Sequence, residues 1–328
     1  MKAAIIGDGA WGTALGLVLR DNGCSVTVWG PFRDYVETVV RERVNVSYLP
    51  GIRLPDDIAW TSDPREAARD AGVVVLAVPT KYVAAALGAF AGLLPPEAHV
   101  VSVAKGLEPA SLERLSVVAA RLLRHAPVAA LSGPSFAEEG ARRVPTAVTV
   151  ASQDAGLAAT LQRVLSNDRF RVYTSSDVAG VELGGALKNV IAIAVGVSDG
   201  LGFGDNTRAA LITRGLAEIT RLGVALGARA ATFAGLSGMG DLILTCTGRL
   251  SRNHRCGERI GRGERVADIL GGTKQAVEGA WNCAAARALA RRASVPVPIT
   301  EEVYAIIHEG KAPQAAVDAL LTRDVKPE

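Results

Sequence analysis

A lysine lies at the centre of an apolar run in the second half of the sequence. In VELGGALKNVIAIAVGVSDG (181–200), Lys188 and Asn189 stand among Val, Leu, Ile, Ala and Gly. Burying a lone ammonium group is costly, so this side chain needs a charged partner, a hydrated cavity or a functional role. Snorkelling from the edge of a helix is the structural alternative. Because desolvation lowers the pKa of an amine, we predict that Lys188 exchanges a proton with a substrate.

Two glycines precede this lysine on one side of the predicted helix. If residues 181–197 form a single helix, Gly184, Gly185 and Ile191 share a face with Lys188, since positions three and four apart are neighbours. Glycine adds no side chain to that face. We therefore expect the two glycines to leave room for a ligand beside the amine.

A second polar cluster follows in GLSGMGDLILTCTGRLSRNHRCG (235–257). The pattern predicts Asp241 at the start of a helix, followed by a turn that presents Ser251, Arg252 and Asn253 together. A guanidinium fork beside neutral donors suits a phosphate or a carboxylate. Alternatively, Asp241 is a helix cap and Arg252 a surface charge.

A glycine turn opens the chain. Gly7, Gly9 and Gly12 have the spacing Gly-x-Gly-x-x-Gly, directly after a predicted strand and at the start of a predicted helix. In this context the backbone can approach a pyrophosphate whose charge the helix N-terminus stabilises. The sequence thus predicts a dinucleotide cofactor, with an ordinary tight turn as the alternative.

The second predicted strand bears on the choice between NAD and NADP. An acid at the end of this strand normally binds the adenosine ribose. SVTVWGPFRD (25–34) has no acid at the strand end, and Arg33 follows. This pattern favours acceptance of, or preference for, NADP; the alternative is a solvated Arg33.

The elements that must position these residues divide the chain in two. Apolar, β-branched segments predict strands at 3–7, 25–29, 72–79, 99–106, 127–134, 146–152 and 169–176. Amphipathic segments predict helices near 11–22, 64–70, 81–93, 111–124 and 154–166. The expected fold class is α/β, with a Rossmann-type, mostly parallel sheet domain (1–178) followed by an all-helical domain (179–328).

Composition excludes several classes of protein. The 328 residues are 49% hydrophobic and 21% charged, with a formal charge of +3 and no basic block interleaved with aromatics, so no nucleic-acid surface is expected. The apolar 181–197 run is shorter than the roughly 20 residues that span a membrane and contains a lysine. No secretory signal is recognisable. We expect a cytoplasmic protein without a membrane span.

The cysteines and histidines indicate neither a metal site nor a catalytic triad. The cysteines show no metal-ligand spacing and no disulfide density, so reduced thiols are expected; they are Cys24, Cys246, Cys256 and Cys283. His99, His125 and His308 are interpreted as structural or surface residues. The role of His254, next to the polar cluster, stays open. Tyr48 and Leu49 are expected in a loop over the cofactor, with ordinary packing as the alternative.

Six segments together resemble the bacterial NAD(P)-dependent glycerol-3-phosphate dehydrogenases in order and spacing. They are GDGAWGTALG (7–16), KGLE (105–108), LSGPSFAEE (131–139), GALKNVIAIAVGVSDGLGFGDNTRAALITRG (185–215), LSGMGDLILTCTG (236–248) and SRN (251–253). The resemblance implies interconversion of dihydroxyacetone phosphate and sn-glycerol 3-phosphate for phospholipid synthesis. It also implies a Rossmann-type domain joined to a helical domain, in a homodimer.

The resemblance assigns roles to individual residues. Lys188 would donate and accept the proton, Asp241 would orient it, and Lys105 would contact both substrate and cofactor. Gly133 and Ser135 would line the substrate; Ser251, Arg252 and Asn253 would hold its phosphate; Trp11, Ala137, Arg252 and Glu278 would touch the cofactor. The serine usual in the glycine turn is Ala10 here, so backbone amides would bind the pyrophosphate without that side chain.

Two other functions remain open from the residues. One is a 3-hydroxyacid or sugar-acid dehydrogenase with the same two-domain plan, although the Ser251-Arg252-Asn253 cluster suits a phosphate better. The other is a regulator that senses NAD(P) without chemistry, which the presence of Lys188, Lys105 and Asp241 disfavours.

Overall fold

The computed structural model describes residues 1–124, 127–273 and 276–322. His125, interpreted above as structural or surface, lies outside the described residues. The chain forms two compact units, Met1–Glu182 and Leu183–Glu328.

The first unit contains the strands. They are β1 (Lys2–Ile6), β2 (Ser25–Trp29), β3 (Val44–Asn45), β4 (Leu49–Arg53), β5 (Ala59–Thr61), β6 (Val73–Leu76), β7 (His99–Ser102), β8 (Val128–Ser132), β9 (Thr146–Ala151) and β10 (Phe170–Ser175). The helices between them are α1 (Ala10–Asp21), α2 (Arg33–Glu42), α3 (Pro64–Ala68), α4 (Val83–Ala89), α5 (Leu115–Leu123), α6 (Ala137–Ala141) and α7 (Ala155–Leu165), with a 3₁₀ turn at Thr80–Tyr82.

Eight strands form one sheet, in the order β10-β9-β8-β7-β6-β1-β2-β5. All neighbouring pairs in this sheet are parallel except β8 and β9, so the prediction of a mostly parallel sheet is confirmed. The chain moves from β1 outward to β2 and β5, then returns to β6 on the other side of β1. In such sheets ligands bind at the carboxyl ends of the strands, where the strand order reverses. Here that point is between β1 and β6.

Both faces of the sheet are covered. Ile5 of β1 packs on one side with Leu15 and Leu19 of α1, whereas the next residue, Ile6, packs on the other side with Leu87 and Phe90. Consecutive side chains of a strand point to opposite faces, so an apolar strand without alternation needs cover on both. These layers hold the carboxyl ends of β1 and β6 in a fixed position.

The region between β2 and β6 differs from the sequence prediction. The region of Tyr48 and Leu49, expected as a loop, contains the antiparallel pair β3 and β4, so Leu49 is the first residue of a strand. Leu49 is 3% exposed and the Tyr48 ring lies edge-on to Tyr35, which is the packing alternative. Helix α2 and strand β5 were also not predicted. Helix α2 has only two buried apolar residues, Val36 and Val39, and β5 has three residues in all.

The second unit is helical, as the sequence predicts. Its helices are α8 (Val178–Gly200, which begins in the first unit), α9 (Asp205–Ala225), α10 (Ala230–Phe233), α11 (Asp241–Thr247), α12 (Arg252–Gly261), α13 (Val266–Gly271), α14 (Glu278–Arg292), α15 (Pro298–Glu309) and α16 (Pro313–Leu321). A short π-helical segment, Leu236–Gly240, leads into α11.

Helix α8 is the central helix of this unit. It has 23 residues and is apolar enough, by length and composition alone, to cross a membrane. Its most apolar stretch is 83% buried inside the protein, which is typical of a core helix. Val190, Ile193 and Val197 of this helix pack with residues of α12, α14 and α15. A core position explains the apolar composition that surrounds Lys188.

Candidate functional site

The central lysine has charged and polar partners. Lys188 is 5% exposed, and its Nζ donates hydrogen bonds to Oδ1 of Asp241 and, at 2.6 Å, to Oγ1 of Thr245. Asp241 and Thr245 are also buried, at 1% and 4% exposure. An ammonium group removed from water is stabilised by such a carboxylate. Loss of Lys188 or of Asp241 would leave the other charge buried and uncompensated. Lys188 therefore does not snorkel to the surface.

The position of Asp241 follows from the segment before it. Asp241 is the first residue of α11, as predicted, and the N-cap is Gly240. Thr245 follows one turn later, so both side chains lie on one face of the helix. Thr245 was not predicted from the sequence, although its spacing of four from Asp241 places both on one helix face.

At Gly184, one of the two glycines near Lys188, the space expected for a ligand is filled by another part of the chain. A Cβ at Gly184 would lie 2.5 Å from the carbonyl oxygen of Ser237. The prediction that Gly184 leaves room for a ligand is therefore wrong. This glycine instead lets the π-helical segment approach α8, and that contact carries α11 and Asp241 to the lysine.

Helices α8 and α12 run side by side at very short distance. A Cβ at Gly196 would lie 2.1 Å from the His254 carbonyl oxygen, and one at Gly257 would lie 2.1 Å from that of Ile193. Only glycine permits this approach. It sets a register in which Asn253 Nδ2 donates to Asn189 Oδ1 over 2.9 Å. Asn253 thus lies beside the residue that follows Lys188.

The predicted phosphate cluster forms the N-terminus of α12 and not a turn. Ser251 is the N-cap, and its Oγ accepts a hydrogen bond of 3.2 Å from the His254 amide. Asn253 is buried, and its Oδ1 accepts from the Gly279 amide over 2.9 Å. A helix N-terminus favours negative charge, so this end of α12 suits an anion.

Arg252 is the exposed member of this cluster. Although its side chain reaches the surface, the surrounding protein desolvates the guanidinium and lowers its pKa, and the carboxylate of Glu278 opposes that shift. Glu278 is the first residue of α14. Arg252 and Glu278, both predicted to touch the cofactor, are thus electrostatic neighbours.

His254 contacts a carboxylate outside the predicted set of ligands. Its Nε2 lies 2.7 Å from Oδ2 of Asp199, a carboxylate that also accepts from Arg208 over 3.2 Å. His99 is half-buried at the start of β7, and His308 Nε2 lies 3.0 Å from the Ala280 carbonyl oxygen. These contacts are structural.

A separate polar group lies at the carboxyl ends of β7 and β8 in the first unit. Lys105 Nζ donates to the Gly133 carbonyl oxygen over 2.8 Å and to Ser135 Oγ over 3.1 Å. Ser135 in turn donates to the same carbonyl over 2.8 Å. Three residues that the sequence assigns to the substrate are therefore in direct contact with one another.

The glycine turn follows β1 and opens α1, as predicted. Gly7 has a φ of +120°, and a Cβ there would lie 2.6 Å from the Ala77 carbonyl oxygen. A Cβ at Gly9 would meet nothing within 4 Å. Gly9 is the N-cap of α1 and offers no capping side chain, so the amides of Ala10, Trp11 and Gly12 in the first turn have no acceptor within the helix. The turn therefore fits a pyrophosphate.

An asparagine that the sequence analysis missed holds this turn in place. Asn45 is completely buried, and its Nδ2 donates to the Asp8 carbonyl oxygen over 2.7 Å and to Thr13 Oγ1 over 2.8 Å. Its Oδ1 accepts from the Tyr35 hydroxyl over 2.6 Å. No short sequence motif links Asn45 to the turn, because its two partners there are 37 and 32 residues away along the chain.

The remaining cofactor candidates of the first unit differ in exposure: Trp11 and Ala137 are half-buried, and Arg33 is exposed. The Trp11 ring centroid is 6.2 Å from that of Phe170, and Gly140 of α6, the helix that Ala137 begins, packs against the indole. Arg33 is exposed, and its Nε donates to Glu37 over 2.8 Å. Arg33 therefore has the solvated position that the sequence left open as an alternative.

The thiols are unsuited to chemistry. Burial raises the pKa of Cys246 and Cys283 to about 12 and that of Cys256 to about 11, so they stay protonated. Within residues 1–124, 127–273 and 276–322, no three His, Cys, Asp or Glu side chains are grouped so that they could hold a metal ion.

Both halves of the chain match models of one protein family. Residues 2–158 match the model of the NAD-dependent glycerol-3-phosphate dehydrogenase N-terminus, and residues 177–318 match that of the C-terminus. The chain is 48% identical to glycerol-3-phosphate dehydrogenase [NAD(P)+] of Streptomyces coelicolor, covering 100% of this chain and 98% of the relative. It is also 48% identical to the enzyme of that name from Geobacter sulfurreducens, with the same coverage.

A solved structure is similar over the whole chain. The crystal structure of glycerol-3-phosphate dehydrogenase from Coxiella burnetii superposes with a TM-score of 0.95 at 39% identity, covering 98% of this chain and 99% of that one. The α/β fold with a helical second part is therefore shared with a solved enzyme of this kind.

Proposed function

The chain belongs to the NAD-dependent glycerol-3-phosphate dehydrogenase family, and on that premise we propose that it reduces dihydroxyacetone phosphate reversibly to sn-glycerol 3-phosphate with NADH or NADPH. The observation that carries this proposal is the buried cluster of Lys188, Asp241 and Thr245, in a chain that its relatives match from end to end.

Lys188 is the proton donor in this proposal. A reduced nicotinamide, when bound, supplies hydride to the substrate carbonyl carbon, and negative charge grows on the carbonyl oxygen. An ammonium group neutralises that charge and transfers a proton, which typically accelerates a reaction by ~10² to 10⁴. The Asp241 carboxylate stabilises the ammonium form, and the Thr245 hydroxyl fixes the position of Nζ. In the reverse direction the neutral amine accepts the proton.

Lys105 adds a second positive charge for the substrate and the cofactor. Its amine donates to the Gly133 carbonyl oxygen and to the Ser135 hydroxyl, so its position is fixed. A cation held in advance needs little reorganisation when charge develops nearby, which is the main source of electrostatic catalysis.

The N-terminus of α12 binds the substrate phosphate in this proposal. Arg252 presents an exposed guanidinium fork at the helix N-terminus that Ser251 caps. Asn253 is buried and fixes this end of the helix through its hydrogen bonds with Asn189 and the Gly279 amide. Binding a phosphate remote from the reacting carbon fixes the geometry of hydride attack. This cluster supports a phosphorylated ketone over the 3-hydroxyacid or sugar-acid alternatives.

The glycine turn binds the dinucleotide, with Trp11, Ala137 and Glu278 as further contacts. The open space beside Gly9 supports this role. Arg33 adds affinity for a 2′-phosphate from its exposed position and so favours NADP. In the cell we place the enzyme in the cytoplasm, as a homodimer that supplies glycerol 3-phosphate for phospholipid synthesis.

Absorbance at 340 nm tests the proposal directly. Purified protein is mixed with dihydroxyacetone phosphate and either NADH or NADPH, and oxidation of the cofactor is followed. Consumption that depends on the phosphorylated ketone supports the proposal. Turnover with 3-keto acids instead, or binding of cofactor without turnover of any of these substrates, would contradict it.

A further inference from the structure

Asp8 is an acidic residue inside the glycine turn, between Gly7 and Gly9. It is 9% exposed, and its Oδ2 is buried without a hydrogen bond to any described residue. Its backbone is fixed, since the Asp8 carbonyl oxygen accepts from Asn45 over 2.7 Å. An unpaired carboxylate is an unexpected neighbour for a phosphate site, because it repels phosphate and is itself costly to bury.

The carboxylate lies at the end of β2. The Gly7 amide donates to the carbonyl oxygen of Trp29, the last residue of β2, over 3.0 Å. A Cβ built on the next residue, Gly30, would have three Asp8 atoms as its nearest neighbours: Oδ2 at 2.3 Å, Cγ at 2.8 Å and Cβ at 3.0 Å. The Asp8 side chain thus fills the volume that a side chain at position 30 would occupy.

Position 30 is where dinucleotide-binding folds usually have an acid. That acid follows the second strand, about 20 residues after the glycine turn, and hydrogen-bonds the hydroxyls of the adenosine ribose. Here β2 ends in Trp29 and continues with Gly30, so the strand itself offers no acid. The structure brings a carboxylate to the same place from a different part of the chain.

We propose that Asp8 takes the part of this missing acid, binding the adenosine ribose hydroxyls and disfavouring a 2′-phosphate. The inference rests on the proposed use of NADH or NADPH. Asp8 and Arg33 then act in opposite directions, since the carboxylate repels the 2′-phosphate that the guanidinium attracts. The preference between the two cofactors is the balance of these two side chains.

The electrostatics of the glycine turn agree with this role. Burial raises the pKa of Asp8 to about 6, and the hydrogen bond from its own amide only partly opposes the shift. Among the described residues, none donates to its Oδ2 and so stabilises the charge there. Ribose hydroxyls would supply such donors, and charge-assisted hydrogen bonds are about twice as strong as neutral ones.

The test is the ratio of dissociation constants for NADH and NADPH, measured by fluorescence titration without substrate. Asp8→Asn keeps the shape and removes the charge, so we expect the ratio to shift toward NADPH by about tenfold, the equivalent of one charged hydrogen bond. Asp70→Asn is the matched control. Asp70 is exposed before β6, at the opposite end of the parallel strands, and its φ of +57° suits asparagine. The control should leave the ratio unchanged.

A second variant restores the charge from the other side. Asp8→Gly combined with Gly30→Asp moves the carboxylate to the end of β2, in the volume that Asp8 vacates. We expect Asp8→Gly alone to shift the ratio toward NADPH and the double variant to return it to that of the parent protein. Such a recovery would show that the loss in Asp8→Gly comes from the missing carboxylate and not from damage to the glycine turn.

Two results would overturn the role of Asp8. One is an unchanged ratio in Asp8→Asn; the other is an equal change in both dissociation constants, which would mean that the charge acts on the shared pyrophosphate. Neither result touches the reaction proposed above. Conversely, the parent and the Asp8 variants could bind both cofactors with the predicted changes in ratio while the parent fails to reduce dihydroxyacetone phosphate. That result would refute the reaction and leave the role of Asp8 in cofactor binding intact.

Discussion

At the scale of single residues, the protein has charged side chains in its interior. Lys188 has Asp241 as a buried partner, whereas the Oδ2 atom of Asp8 makes no hydrogen bond to a described residue. A buried pair is maintained because removal of one member exposes the other to the full cost of desolvation. A buried charge without such a partner lowers stability, so its presence indicates a functional role such as ligand binding.

Replacing Lys188 separates catalysis from stability. We expect Lys188→Met to lower kcat by at least ~10² while NADH binding stays near its original value, because the proton donor is lost. It should also destabilise the fold by leaving Asp241 unpaired. Combining Lys188→Met with Asp241→Asn should recover stability in denaturant titrations without recovering turnover. A single variant with near-native kcat would refute the role of proton donor.

Replacing Arg252 by Lys tests the phosphate site. The guanidinium can bind a phosphate with two parallel hydrogen bonds, and an ammonium group cannot. We expect KM for dihydroxyacetone phosphate to rise about tenfold, with a much smaller effect on unphosphorylated dihydroxyacetone. Arg255→Lys, on the exposed surface of the same helix, is the control. Equal effects on both substrates would remove Arg252 from the phosphate site.

Asp8 makes stability depend on pH. Its folded pKa of about 6 is above the ordinary value of 3.8, so between these pH values the folded protein holds a proton that the unfolded chain has released. Stability is therefore lost as pH rises through this window, and above it the cost in unfolding free energy is about 3 kcal/mol. Burial and Asp8 itself raise the pKa of the nearby Tyr48, so that phenol stays neutral here.

We therefore expect Asp8→Asn to be more stable than the parent at pH 7, with an advantage that shrinks between pH 6 and pH 4. Urea titrations of the cofactor-free proteins at several pH values measure this difference. An advantage that does not change with pH would mean that the carboxylate is not desolvated in the folded state.

The sequence indicates several of these residues but not their environments. An isolated lysine in an apolar run is a strong signal, because its burial requires a partner. Asp241 was recognisable for its place at the start of a helix, and Thr245 was missed although it lies one turn further on. The space at Gly184 could not be predicted, because a glycine marks either a cavity or a close backbone contact. Only the fold distinguishes these cases.

At the scale of elements, glycines between α8 and α12 set the register of the site. Gly196 and Gly257 let the two helices touch through their backbones, and this contact places Asn253 opposite Asn189. The N-terminus of α12 is thereby carried to the part of α8 that holds Lys188. The contact is a packing feature with a direct effect on the position of polar groups.

A methyl group at Gly257 should therefore damage both stability and activity. Its Cβ would lie 2.1 Å from the Ile193 carbonyl oxygen, so the helices must separate. We expect Gly257→Ala to cost about 1–3 kcal/mol in unfolding free energy and to reduce kcat/KM. Gly271→Ala is the control: it lies in α13 with nothing within 4 Å of the added carbon, so its effect should stay within about 1 kcal/mol. Equal effects would contradict the packing argument.

Element prediction from sequence succeeded where the pattern was strongly apolar. The strands of the central sheet and helices α1 and α7 follow from continuous or amphipathic apolar segments. Helix α2 was missed because its ten residues bury only Val36 and Val39. The β3–β4 hairpin was missed because its polar turn residues resemble a loop, and its two strands pair mainly with each other.

At the scale of the whole molecule, the buried cysteines make unfolding visible. Cys246, Cys256 and Cys283 are at most 3% exposed, and Cys24 is half-buried with a pKa raised mainly by desolvation. A thiol reagent attacks the thiolate, so native protein should react slowly and at Cys24 before the others. In denaturant all four cysteines should react at the same rate. Rapid labelling of more than one thiol per native chain would show that the helical unit opens without global unfolding.

The fully buried Asn45 has a consequence for the affinity of the nucleotide. Its amide connects Tyr35 of α2 and the hairpin to the backbone of the phosphate turn, so the turn is rigid before any ligand arrives. The entropy of ordering that loop is then lost when the chain folds and not when the cofactor binds. Part of the binding strength is in this way decided by a side chain that touches no part of the nucleotide.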